Sequence, residues 1–277
     1  MKKYTYPAVL TIAGSDSGGG AGIQADIKTV SALGCYGMSV ITALTAQNTL
    51  GVTGIHSVPP AFVKAQLDAV LQDIRPLAIK IGMVHSPELV AVIAETLRKY
   101  PDIPVILDPV MVATSGDRLI AQETVKHIVA ELFPLSALIT PNLDEATLLA
   151  NMPIATVNDM QTAGNIIMQQ GCNALLLKGG HLQQDQLTSL LFTADGTIEH
   201  FTSQKIETKN MHGSGCTLSS AIAAYIARGE TLAQAVALAQ DYVHGAILHG
   251  KDVTTGNGHG PLNHFYNPQK MIINEME

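Results

Sequence analysis

Charge is scarce in this sequence. The 16 Lys and Arg and 23 Asp and Glu make up 14% of 277 residues, against about 25% in an ordinary soluble domain. The net charge of −7 repels a polyanion and excludes a broad nucleic-acid-binding face. It leaves room for a local phosphate site built from backbone N–H groups and one lysine. Cysteine is scarce too. Cys35, Cys172 and Cys216 are odd in number and widely spaced. That excludes a disulfide framework and a zinc cluster and points to a reduced, cytoplasmic protein. Long hydrophobic runs are missing. Residues 29–63 carry no charged side chain, but Gly34, Gly37, Gln47, Asn48, Gly51 and Pro59 interrupt them. No transmembrane helix and no membrane partner are expected. Lys2 and Lys3 precede an apolar run over residues 7–13. It is too short for a signal peptide, and no small-residue cleavage site follows before Asp16, so a buried first strand is expected. What is present is 47% hydrophobic, which rules out general disorder and suffices for a sizeable core.

Apolar, strand-like runs alternate with amphipathic helical ones. Strands are expected at residues 9–13, 38–46, 78–81, 105–107, 137–140 and 174–177. A helix with Ile23, Ile27, Val30 and Leu33 on one face stops at Gly34. Further helices fall near residues 60–74 and 87–99, each opened by Pro, then 123–132 and 159–170. Two long Ala-rich helices fill 215–227 and 232–249. Residues 190–201, centred on Ala194-Asp195-Gly196, read as an antiparallel hairpin. The pattern predicts one α/β domain over residues 1–277, with a mainly parallel sheet covered on both faces and the hairpin at one edge. Ligands then bind at the carboxyl ends of the strands.

The loops after those strands hold the polar residues. Gly14-Ser15-Asp16-Ser17-Gly18-Gly19-Gly20-Ala21-Gly22 feeds a helix, where glycines let backbone approach a ligand and the N-terminus favours electron-rich groups. Gly20, Gly22 and Ala25 fit a dinucleotide-binding spacing, but no acid follows at the distance the ribose requires. Gln47 can donate and accept, which suits an aminopyrimidine or pyridine edge; a loop-backbone partner explains it equally. Asp108 follows a strand and can orient a metal or phosphate, or cap a turn. Asn142 and Glu145 stand three apart, where an amide and a carboxylate could hold Mg²⁺ or form a helix cap. Lys178, before Gly179-Gly180-His181, is a candidate phosphate contact. The strongest local signal is Met211-His212-Gly213-Ser214-Gly215-Cys216-Thr217. Its N–H groups at Gly213, Ser214, Gly215 and Cys216 would converge with a helix dipole into an anion hole. Cys216 at that N-terminus is expected to have a thiol pKa below its ordinary value of about 8.5.

Together these segments resemble the ribokinase-like superfamily, and more closely the hydroxymethylpyrimidine kinase/phosphomethylpyrimidine kinase family of thiamin biosynthesis. The resemblance covers roughly residues 10–265. It rests on Thr11-Ile12-Ala13-Gly14-Ser15-Asp16, Gly19-Gly20-Ala21-Gly22-Ile23-Gln24-Ala25-Asp26, Val40-Ile41-Thr42-Ala43-Leu44-Thr45-Ala46-Gln47-Asn48-Thr49, Lys80-Ile81-Gly82-Met83, Asp108-Pro109-Val110-Met111, Thr140-Pro141-Asn142 with Glu145, and the Lys178 and His212 motifs. It implies a three-layer α/β/α kinase that moves the γ-phosphoryl of ATP, with Mg²⁺, onto the alcohol of 4-amino-5-hydroxymethyl-2-methylpyrimidine, and then onto the monophosphate. By position, Asp26 and Gln47 would grip the pyrimidine, with Gly14, Ala21, Met83 and Val110 lining its pocket. Asn142, Glu145 and Lys178 would face phosphates and metal, with Asp108 close by. The wider superfamily has Asp at position 216 as the base; here it is Cys, as in the pyrimidine-kinase branch, with His212 as its helper. The glycine-rich end, residues 256–260 with Pro261 and His264, matches the family without an assigned role. A homodimer is one expectation for the assembly.

Three other readings compete. Pyridoxal kinase shares the fold, and related pyridoxal-preferring enzymes tend to have Met in place of Gln47. A non-catalytic pyrimidine binder would need Asp26 and Gln47 only. A thiol enzyme using Cys216 and His212 would leave Asn142, Glu145 and Lys178 unexplained.

Overall fold

The structure is a computed structural model that describes residues 3–111, 120–180 and 186–275. His181, the last residue of the Lys178 motif, lies outside the described residues. The chain opens with β1 (Tyr4–Thr5) and the long strand β2 (Ala8–Asp16). Helix α1 (Gly22–Ala32) leads to β3 (Tyr36–Asn48), which turns back into β4 (Gly51–Ser57). Then come α2 (Pro60–Leu71), β5 (Ala78–Ile81), α3 (Pro87–Leu97) and β6 (Val105–Leu107). Helix α4 (Gln122–His127) runs through a π turn (Ile128–Leu132) and a 3-10 turn (Phe133–Leu135) to β7 (Leu138–Ile139). Helices α5 (Leu143–Ala150) and α6 (Val157–Met168) precede β8 (Ala174–Lys178). The strands β9 (Gln186–Thr193) and β10 (Ile198–Gln204) lead to α7 (Ser214–Ala227), α8 (Leu232–Gly250) and β11 (Asn274–Glu275).

The main sheet runs β10-β9-β8-β7-β6-β5-β2-β3-β4. From β8 to β3 every neighbouring pair is parallel. The expected hairpin β9–β10 joins β8 antiparallel at one edge. A second hairpin, β3–β4, closes the opposite edge. It was not expected from sequence because β4 is almost wholly exposed and has no buried face to mark it.

Side chains alternate across this sheet, so each strand feeds two cores. Leu10, Ile12, Ile79 and Ile81 meet Val63 and Leu67 of α2 and Ile93 of α3 on one side. Val9, Ile106 and Leu176 meet Val30 of α1, Ile222 of α7 and Val236 of α8 on the other. The result is the three-layer α/β/α arrangement. Local signals set the boundaries. Pro sits in the first turn of α2 and α3, where its missing N–H costs nothing. Gly34 stops α1 at φ +77°, a conformation glycine adopts without strain. The loops after β2, β3, β6, β7 and β8 all emerge on one side, and that side carries the site.

Candidate active site

The glycine-rich loop after β2 closes on its own aspartate. The Asp16 carboxylate accepts the N–H groups of Gly18 at 2.8 Å, Gly20 at 3.0 Å and Ala21 at 2.9 Å. Three amides of this loop are therefore spent within it. His212 Nε2 lies 2.9 Å from Asp16 Oδ2. Burial works to raise Asp16, but the hydrogen bonds from His212, Ala21 and Gly18 outweigh it and hold the carboxyl below its usual range. Sequence reading missed this role, because an Asp among glycines reads as a turn residue.

Gln47 is half-buried near the end of β3. Its Oε1 accepts from Thr45 Oγ1 at 3.1 Å, and its Nε2 lies 3.3 Å from His212 Nε2. His212 thus faces Asp16 and Gln47 rather than Cys216, and the expected Cys216–His212 partnership is not formed. Gly14 and Met83 come together: a Cβ on Gly14 would stand 3.0 Å from Met83 Cε. Val110 is half-buried two residues beyond Asp108. Ala21 borders Gly213, whose added Cβ would sit 3.1 Å from Ala21 Cα and collide with the Gly20 carbonyl. Gly213 takes φ +85° as the N-cap of α7, so only glycine lets the two loops meet here.

Asp26 departs from expectation. It lies fully buried on α1, with both carboxylate oxygens engaged. Lys80 Nζ donates at 2.9 and 3.0 Å, Thr11 Oγ1 at 2.6 Å and Ser220 Oγ at 2.7 Å. Its donors come from β5, β2 and α7, so this carboxylate pins three elements to α1 and presents nothing to an open pocket. Lys80 is equally buried. Burial works against its charge, but Asp26 overrides that and holds the ammonium above its ordinary range. The Lys80–Asp26 pair was not read from sequence. A lysine between Ile79 and Ile81 in a covered strand was the available signal.

On the phosphate side, Asp108 Oδ1 accepts from Lys178 Nζ at 3.1 Å and from Thr140 Oγ1 at 3.1 Å. A Cβ on Gly215 would stand 3.4 Å from Lys178 Nζ and 3.5 Å from Asp108 Oδ2. The first turn of α7 therefore faces the Lys178–Asp108 pair. Burial opposes the Lys178 charge, while Asp108 and Glu145 together hold it above its ordinary range. Asn142 and Glu145 do form a helix cap. Asn142 Oδ1 accepts the Glu145 N–H at 2.9 Å, and Glu145 Oε2 accepts the Asn142 N–H at 2.8 Å. Glu145 is also buried. Burial pushes its carboxyl up to about 7, against Lys178, with Asp108 adding to the rise.

The anion hole is smaller than expected. Ser214 N–H already donates to the Met211 carbonyl at 3.1 Å, which leaves the N–H groups of Gly213, Gly215 and Cys216 from the expected set. The low thiol pKa expected for Cys216 is corrected as well. Burial pushes the thiol up to about 11, more than Lys80 and the Gly22 N–H can offset, with Asp26 and Asp108 adding to the rise. Desolvation of a thiolate outweighs a helix N-terminus here. Among the described residues no three His, Cys, Asp or Glu side chains gather as a metal cage, and no helix is long and apolar enough to cross a membrane. A separate cavity between α4 with its π turn and α5 with the turn that follows it, lined by Gln122, Lys126, Thr147 and Asn151 among others, shares no residue with this site.

Comparison with known proteins points the same way. Residues 16–263 match the family model described as phosphomethylpyrimidine kinase. The chain is 50% identical over 258 residues to a hydroxymethylpyrimidine/phosphomethylpyrimidine kinase of Rhizobium meliloti, covering 93% of this chain and 96% of that one. A crystal structure of phosphomethylpyrimidine kinase from Clostridium difficile superposes with TM-score 0.77 at 44% identity, covering 87% of this chain and 99% of that chain. A pyridoxal kinase from Staphylococcus aureus, solved with ADP, superposes with TM-score 0.87 at 32% identity, covering 98% and 100%.

Proposed function

Because the chain belongs to the phosphomethylpyrimidine kinase family, we propose that it phosphorylates 4-amino-5-hydroxymethyl-2-methylpyrimidine on its hydroxymethyl oxygen. ATP is the donor, and the monophosphate so formed is the second acceptor, in thiamin biosynthesis. The observation that carries this reading is the meeting of two half-sites at the start of α7. Gly213 fits against Gly20 and Ala21 on the side of Gly14, Gln47 and Met83, while Gly215 faces Lys178 and Asp108. An acceptor alcohol held by the first group would lie beside a phosphate held by the second.

The aminopyrimidine edge offers one ring acceptor and one amine donor, which the Gln47 amide can match in a pair. Gly14, Ala21, Met83 and Val110 would line the ring. Lys178 and Asn142 would hold the phosphates, and the N–H groups of Gly215 and Cys216 would neutralise charge on the transferring group. Phosphoryl transfer has a loose transition state that needs positioning and charge neutralisation more than covalent help. With its thiol at about 11, Cys216 is thiolate in about 1 molecule in 10⁴ at pH 7. Its Sγ would therefore orient the acceptor hydroxyl and take the proton only late.

Mg²⁺ fits the donor set on this side. Asp108 and Glu145 are buried oxygen donors, and the carboxyl that burial leaves half-protonated near pH 7 is one that a hard cation would keep ionised. With no three-ligand cage among the described residues, ATP phosphates would complete the coordination. When bound, the metal would offset the negative charge of the phosphates.

A pyridoxal kinase reading rests on the likeness to the Staphylococcus aureus enzyme. Gln47 argues against it, since pyridoxal lacks the ring amine that its amide would pair. Measuring ATP consumption with the pyrimidine alcohol, its monophosphate or pyridoxal as sole acceptor separates the two. Turnover of the first two supports the proposal, and pyridoxal as the best acceptor replaces it.

A further inference from the structure

The glycine-rich segment 256–264 has no part in the site as described so far. It nevertheless touches Thr49, close to Gln47 in the chain, and His212, which faces the Gln47 side chain. Gly258 N–H donates to Thr49 Oγ1 at 3.1 Å, and His259 N–H donates to the Thr49 carbonyl at 2.9 Å. Thr49 lies two residues beyond Gln47, at the turn between β3 and β4. Cβ atoms on Gly256 or Gly258 would collide with Thr49. One residue further on, the Gly260 carbonyl accepts the backbone N–H of His212 at 3.1 Å, and Pro261 forms a parallel bridge with His212.

The far end of the segment is anchored in the core. Asn263 N–H donates to the Ala246 carbonyl at 3.0 Å, and the Tyr242 hydroxyl donates to the His264 carbonyl at 2.6 Å. The buried His264 ring meets Thr217 Oγ1 at 3.1 Å. The near end grips a hairpin with little burial of its own. Leu50 is 72% exposed, Ile55 is 53% exposed, and β4 contributes almost nothing to either core. β3 is paired with β2 only as far as Thr45, so the hairpin tip beyond it rests on its own two strands and on contacts from neighbouring loops.

We infer that residues 256–261 are a clasp that holds the β3–β4 turn against the His212 loop and, together with Ser17, whose Oγ bonds the Gln47 carbonyl at 2.8 Å and the Gln47 N–H at 2.9 Å, sets Gln47 at its 3.3 Å distance from His212. Thr49 and Gly258 are then positioning residues for acceptor selectivity. This inference rests on the reading that Gln47 contacts the acceptor ring. It explains why glycine is needed at 256 and 258, where backbone and a threonine side chain leave no room for a Cβ.

The test compares wild type with Thr49→Val, Thr49→Ser, Gly258→Ala and Gln47→Met. Valine keeps the shape of threonine and removes the acceptor for the Gly258 N–H. KM for the pyrimidine alcohol is expected to rise two- to tenfold in Thr49→Val, the loss proper to one hydrogen bond. KM for ATP and the melting temperature should hold. Thr49→Ser, which keeps the oxygen, should restore the wild-type value. Gly258→Ala should exceed Thr49→Val. Hydrogen exchange across residues 44–57 should quicken in Thr49→Val and Gly258→Ala. If Gln47→Met loses selectivity while exchange and pyrimidine KM stay at wild-type values in both clasp variants, the clasp is refuted and the acceptor reading stands. If Gln47→Met itself changes nothing, the acceptor reading fails and the clasp's role in selectivity falls with it.

Discussion

Replacing Asp26 by Asn strips the directly hydrogen-bonded counter-charge from a fully buried ammonium and leaves only the more distant Asp108 carboxylate acting on it. Lys80 donates to both Asp26 oxygens, at 2.9 and 3.0 Å, and neither side chain is exposed. Breaking a buried ion pair from one side costs about 3–5 kcal/mol, because the surviving charge is left uncompensated. Set against a typical total of about 5–15 kcal/mol, that is a third or more of the stability. The reverse change, Lys80→Met, is expected to cost less. Asp26 would keep its two hydroxyl donors, Thr11 at 2.6 Å and Ser220 at 2.7 Å, and each hydrogen bond to a charged group contributes about 1.5–3 kcal/mol. The double variant should be milder than Asp26→Asn alone, since it leaves no bare ammonium. Because the Lys80 ammonium is held above its ordinary range, the pair's contribution is complete below the free lysine value of about 10.4. It is lost as pH rises through the folded value. Urea unfolding of the three variants at pH 7 gives the cycle directly. Lys80→Met as damaging as Asp26→Asn, with a double variant no milder than either, would refute the asymmetry. Folded Asp26→Asn should retain the pyrimidine KM; a rise in KM with stability intact would return Asp26 to the acceptor pocket.

Two further outcomes follow from the site. Cys216→Ala should lower kcat with little change in KM for ATP, and Cys216→Ser should recover much of the loss, because a thiol at about 11 acts mainly by orienting the hydroxyl. A serine variant as slow as the alanine one, with a loss of about 10²–10⁴-fold, would instead make Cys216 a true base. Glu145 ionises near 7, so the Mg²⁺ concentration for half-maximal rate should fall roughly tenfold between pH 6 and pH 8. Glu145→Gln should raise that concentration and flatten its pH dependence. The same raised value means that this group's contribution to metal-free stability is complete below about 4.3. That contribution is lost as pH rises through about 7, which urea titrations at both pH values would register.

The parallel core of the sheet was legible because its strands are short, mainly apolar runs, with Lys80 in β5 as the charged exception. Residues 78–81 and 105–107 were read at the observed boundaries of β5 and β6. At the carboxyl ends of the parallel strands, the structure brings Gln47 beside His212 and Asp108 beside Lys178. What failed was whatever depended on distant neighbours. β4 has no buried face, so no periodicity marked it. Asp26 looked free because its partner Lys80 lies 54 residues away. Cys216 looked activated because the helix start is local, whereas the burial that dominates its thiol is assembled from several elements. The glycines of the first loop looked available, yet Asp16 takes three of the N–H groups.

The most direct test of the account is the ratio of kcat/KM for the pyrimidine alcohol to that for pyridoxal, measured at saturating ATP on wild type and Gln47→Met. Wild type should favour the pyrimidine. Met offers an adaptable apolar surface without either hydrogen bond. Leaving a buried polar partner unmatched costs about 1–3 kcal/mol, so the ratio should fall by roughly tenfold or more, at 1.4 kcal/mol per decade. A wild type that favours pyridoxal, or a ratio unmoved by the substitution, would contradict it.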